Sequence, residues 1–118
     1  MDPNFFQDIA GMIHDKFPNR KDPLILMMIC KPEMEKIRLC ADQGSGYQDC
    51  LYLPIYTNKA VAEILAAARQ ELTAIQADPT NIDQWDAVAI RINASGEMQV
   101  SFNDDEIIDH WEQPELLF

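Results

Sequence analysis

Apolar residues recur along this chain with two periods, and each change of period marks a new element. Phe5, Phe6, Ile9, Met12, Ile13 and Phe17 fall on one helical face, which predicts a helix from about Pro3 to Phe17. Asp2 is placed to cap it, and Pro3 sits where its missing N–H costs nothing. Pro18 and Pro23 then break the pattern. Leu24–Cys30 is apolar without alternation, so a strand covered on both faces is expected, with a turn over Lys31–Met34. Glu35–Ala41 alternates: Ile37, Leu39 and Ala41 point one way, Lys36, Arg38 and Cys40 the other. Asp42–Gly46 has the composition of a hairpin turn, and Tyr47–Ile55 reads as a third strand whose end Pro54 places at an edge or at the exit from the sheet.

The next segment is the most regular. Val61, Ile64, Leu65, Ala68, Leu72 and Ile75 repeat at spacings of three and four among alanines, with Thr57 or Asn58 as the cap. Asp78-Pro79 stops this helix, and Thr80–Gln84 is a polar loop. In the strand Trp85–Ile92, Val88, Ile90 and Ile92 share one face, Ala87, Ala89 and Arg91 the other, and Trp85 belongs to the core. Asn93–Gly96 turns into a return strand whose apolar face is Met98, Val100 and Phe102. The order α-β-β-β-α-β-β, with short connections except through the second helix, predicts one α+β domain over residues 1–118. It is a two-layer α/β sandwich: an antiparallel sheet, helices packed on it, and a C-terminal tail.

Charge changes the picture more than composition does. Residues 1–38 hold six bases and six acids, whereas residues 39–118 hold three bases and fourteen acids and carry the whole net charge of -11. No lysine or arginine follows Arg91, while Glu97, Asp104, Asp105, Glu106, Asp109, Glu112 and Glu115 do. Such a field repels nucleic acid and anionic membranes and steers basic proteins inward. No apolar run approaches the ~20 residues of a membrane span, and the start lacks the basic and apolar segments of a signal peptide, so a cytoplasmic protein is expected.

Little points to chemistry. Cys30, Cys40 and Cys50 form no CxxC pair, and His14 and His110 lie at opposite ends, so neither a metal nor a cofactor is expected. Gln43-Gly-Ser-Gly46 lacks the lysine of a phosphate loop and leads into a strand, which favours a turn. No nucleophile and base are selected by spacing, so an enzyme is not expected.

A Trp-led strand follows a helix, and an x-Gly-x-hydrophobic hairpin then ends in an aromatic followed by acids. Here these are Trp85, Ala89, Ile90, Ile92, the turn Ser95-Gly96, Met98, Val100, Phe102 and Asp104-Asp105. This pattern resembles the YezG-like family of small bacterial immunity proteins (antitoxins), from which the chain departs at Asn103, where relatives often carry Tyr. The resemblance implies that the protein binds a cognate toxin domain, often a nuclease, and neutralises it inside the producing cell.

A basic nuclease cleft would favour an acidic face, with affinity supplied by a few desolvated aromatic anchors. The candidate partner-binding residues are therefore Asp104, Asp105, Glu106, Asp109, Trp111 and Glu112, with Tyr47, Asp49 and Tyr52. For Trp111 a place in the core stays open as the alternative, and for the acids a solvated terminus. The expected partner is a cationic protein, neither nucleic acid nor membrane, met by a monomer or weak dimer. The competing reading is a small acidic dimeric secretion chaperone for an injected effector.

Overall fold

The computed structural model describes residues 3–31, 33–77 and 85–118, the side chains of residues 3–6, 75 and 76 excepted. Helix α1 spans Pro3–Lys16 and is followed by strands β1 (Leu24–Lys31), β2 (Met34–Asp42) and β3 (Tyr47–Asp49). Helix α2 (Asn58–Ala77), strands β4 (Ala87–Ile92) and β5 (Met98–Ser101), and helix α3 (Asp104–Asp109) complete the chain, with 3-10 turns at Cys50–Tyr52 and Pro114–Leu117. The five strands form one antiparallel sheet in the order β3-β2-β1-β4-β5. This is the expected α+β sandwich.

The strand faces divide as the alternation predicted. Leu24, Leu26 and Met28 of β1, Leu39 and Ala41 of β2, and Val88, Ile90 and Ile92 of β4 form one cluster. With them pack Ile9 and Ile13 of α1 and Val61, Ile64, Ala68 and Leu72 of α2. Trp85 is buried in this core. The first bond of α2 runs from Val61 N–H to the Thr57 carbonyl at 3.0 Å, which makes Thr57 the cap residue. The expected cap at Asp2, the side chains of Phe5, Phe6 and Ile75, the stop at Asp78-Pro79 and the loop over Thr80–Gln84 lie outside the described residues.

On the opposite face, Ile25, Met27 and Ile29 join Ala87, Ala89 and Ile107 in a second cluster. β1 is thus buried on both sides, as its unbroken apolar run required. Its cover on this second side is the C-terminal segment. After β5 the chain crosses back over the sheet, and Ile108, Trp111 and Leu117 pack on the same cluster with Met34 and Tyr47. What the sequence presented as a tail is a strap closing the far side of the sandwich.

The expected strand over Tyr47–Ile55 is corrected: pairing stops at Asp49. Its carboxylate turns back to accept the Leu51 N–H at 3.0 Å, closing a 3-10 turn. The Leu53 and Tyr56 amides then bond locally to Cys50 and Leu53 carbonyls, at 3.1 and 3.0 Å, so these donors serve turns rather than a ladder. Local side-chain capping and a proline together outcompete sheet pairing here.

Candidate functional site

The strap is held by identifiable bonds. Asn103 caps α3, accepting the Glu106 N–H at 3.2 Å, which gives this position a reason to be Asn. Asp104, one residue on, points inward. Its carboxylate accepts the Asp86 N–H at 3.2 Å and the Ala87 N–H at 2.8 Å, tying the start of α3 to the start of β4. At the other end the Arg38 guanidinium donates to the Trp111 carbonyl at 2.6 Å. It also lies 3.7 Å from Asp49 and 3.6 Å from Glu112.

Four candidates named from sequence, Tyr47, Asp49, Trp111 and Glu112, therefore meet on one face of the sheet although they come from distant stretches. Arg38 gathers three of them, and Tyr47 and Trp111 pack on the same cluster. Trp111 is half-buried there, so most of its ring serves the strap rather than a free surface. Asp105, Glu106 and Asp109 are exposed on α3. They stand apart from Asp104, whose oxygens are committed to backbone amides. Truncating Arg38 removes one charge-assisted bond and two ion pairs from a mostly buried group. R38M is expected to cost about 1.5–3 kcal/mol in chemical unfolding, and a loss below about 0.5 kcal/mol would show that Arg38 does not hold the strap.

Among the described residues, the most exposed apolar side chains lie in the segment that follows Asp49. Tyr52 is 84 % exposed and Ile55 64 %, with Leu51 and Pro54 also open to solvent. Beneath them Tyr56 is buried, its hydroxyl donating to Asp22 at 2.7 Å and its ring meeting Phe17 edge-on at 4.9 Å. Burial, reinforced by that bond to a carboxylate, pushes the Tyr56 phenol pKa up. Two open hollows, each of about 360 Å³, flank the rigid base: one between Phe17-Pro18 and Ile55, the other between Leu51 and Asn58. The stretch Cys50–Asn58 holds no charged residue. It forms an apolar apex with Asp49 and Asp22 at its foot and with Lys16 and Arg20 lining one of the two hollows. Leu51 and Ile55 were not among the candidates; the signal available was the run Leu51-Tyr-Leu-Pro-Ile-Tyr56, too apolar for an edge strand.

Asp42 accepts the Gly44 and Gly46 amides at 2.8 and 3.2 Å, so the glycine-rich turn folds around its own carboxylate. Gly44 and Gly46 take φ of 111° and 100°, which is why glycine stands at both. Among the described residues no three His, Cys, Asp or Glu side chains are grouped to hold a metal. In the same residues no helix is long and apolar enough to cross a membrane.

Burial pushes the Cys40 thiol up to about 12, Asp49, Glu112 and Glu115 adding to the shift against Arg38. Burial pushes Cys50 up as well. Both shifts favour the neutral thiol in the folded state. The stability they represent is whole below the unfolded thiol value near 8.5 and is lost as pH rises beyond it. Unfolding free energies from urea titrations should fall above about pH 9, by on the order of 1 kcal/mol per pH unit for each such thiol. C40A and C50A should flatten the fall; an equal slope in both would refute the assignment.

No protein-family model matches the chain, and no curated protein matches it in sequence.

Proposed function

We propose that this protein is an immunity protein (antitoxin) of YezG-like type: a stoichiometric inhibitor that binds a cognate, cationic toxin domain, with a nuclease the best fit, in the cytoplasm of the producing bacterium. The observation that carries the reading is the apex, where Leu51, Tyr52 and Ile55 stand exposed beside Asp49 on a chain of net charge -11. An exposed aromatic and aliphatic anchor on a strongly anionic chain suits an apolar notch in a basic cleft. The buried, hydrogen-bonded Tyr56 under the apex favours a low entropic cost of docking. Binding without catalysis suffices for such a role, and neither metal nor cofactor is required.

Exposed acids away from the apex contribute chiefly to the rate of encounter. Replacing Asp105, Glu106 and Asp109 together by Ala removes three such charges and leaves Asp104 in its structural bonds. The triple variant should associate with the toxin roughly three- to tenfold more slowly at low salt while dissociating at the wild-type rate. An unchanged association rate would contradict steering by α3. The reading as a whole is tested by titrating the purified chain into the toxin domain encoded beside its own gene. Toxin activity should vanish at one chain per toxin; activity that persists at large excess would refute it.

A further inference from the structure

At the sheet edge opposite β3, strand β5 pairs, among the described residues, only with β4. The hairpin fixes which of its backbone groups are free. Asn93 N–H bonds to the Glu97 carbonyl at 2.9 Å, so residues 93 and 97 form a hydrogen-bonded pair. Such pairs alternate along an antiparallel ladder, and the register Ile92↔Met98, Arg91↔Gln99, Ile90↔Val100 then spends the amides of Gln99 and Ser101 on β4. Those of Met98 and Val100 point outward. The same residues carry the apolar side chains of the strand. Val100 is 36 % exposed and Phe102 42 %, Phe102 resting against Trp85 with ring centroids 5.8 Å apart.

Edges of this kind are ordinarily guarded by a lysine, a proline or a bulge. Met98-Gln-Val-Ser-Phe-Asn103 has no charge and no proline, in a half of the chain where acids outnumber bases fourteen to three. A cationic partner has nothing to grip there. A second copy of this chain fits. Antiparallel pairing about Val100 places Val100 opposite its own symmetry mate and Met98 opposite Phe102 on the helix-bearing face. On the other face Gln99 lies opposite Ser101. Apolar meets apolar, polar meets polar, and the outward amides of Met98 and Val100 find partners.

We propose that the protein forms a two-fold homodimer by antiparallel β5–β5 pairing centred on Val100, joining two sheets into one of ten strands. The apex lies by β3 at the far edge, so each dimer presents two apices, one at each end of the joined sheet. The proposal is independent of what the apex binds.

Because both copies are anionic, added salt screens their repulsion and should tighten the dimer. In sedimentation equilibrium the wild type should approach twice the chain mass of 13.5 kDa with rising concentration, more readily at high salt. V100K should weaken association at least about tenfold with an unchanged circular dichroism spectrum. Should V100K fail to fold, V100C reports the same geometry: oxidation should link it across the axis, while Q99C, whose symmetry mate is not opposite, should not link. A wild type monomeric at every soluble concentration, a V100K variant as dimeric as wild type, or equal cross-linking of Q99C and V100C would overturn the proposal.

Discussion

I107D is expected to unseat the C-terminal strap and to cost about 3–4 kcal/mol of stability. Ile107 is wholly buried against Ile25, Met27, Ile29, Ala87 and Ala89. Losing its burial alone accounts for roughly 2–3 kcal/mol, and a carboxylate cannot remain in that apolar site unpaired. The variant can escape part of the penalty by releasing α3, which keeps the total within reach of a folded domain. Release exposes the second face of β1. Dye binding to apolar surface should therefore rise, amides of α3 should exchange freely, and the denaturant slope should shrink because the folded state buries less. I107A, which leaves a cavity without a charge, should lose about 2 kcal/mol and keep the strap seated. An I107D variant as stable as wild type would show the strap to be dispensable.

That prediction depends on a part of the fold the sequence disguised. The apolar alternation in β2 and β4, the unbroken run of β1 and the three–four repeat of α2 all translated directly, because each element buries the face its period marks. Residues 103–118 did not. Ile107, Ile108, Trp111 and Leu117 are too few for a period to stand out among seven acids from Glu97 onward, and the alanines of β4 that receive them look like filler. Small residues at 87 and 89 leave room for a helix lying close on the sheet, a meaning visible only once the faces are assigned.

The site was legible in part for a related reason. Charge counting found the acids, and aromatic anchors suggested Tyr47, Tyr52 and Trp111. Period and charge alone cannot separate an acid that binds backbone amides, as Asp104 does, from one that faces water, as Asp105 does. Nor do they reveal that Arg38 joins Asp49 to Glu112, or that a side-chain cap turns Leu51–Ile55 out of the sheet.

Y52A is expected to be the most damaging single change to partner binding. Tyr52 projects from a 3-10 turn whose cap, Asp49, and whose buried neighbours Cys50 and Leu53 do not depend on it. Removing an exposed ring should leave stability within about 0.5 kcal/mol of wild type. In the proposed complex the same ring would become buried, and truncating a central aromatic anchor costs about 2–4 kcal/mol, a 30- to 1,000-fold loss of affinity. The loss should appear in the dissociation rate. Y52F should retain most of the affinity if apolar area dominates. Wild-type affinity in Y52A would move the contact away from the apex.

An anionic surface gripping a cationic protein has a signature in salt. The most direct measurement is the equilibrium affinity of the chain for the proposed toxin domain, sought beside its gene, titrated calorimetrically from low to physiological ionic strength and beyond. Affinity should fall steadily as salt screens the acids, with one toxin domain bound per chain. Affinity that stays level across the series, or no heat of binding at any salt concentration, would contradict the account.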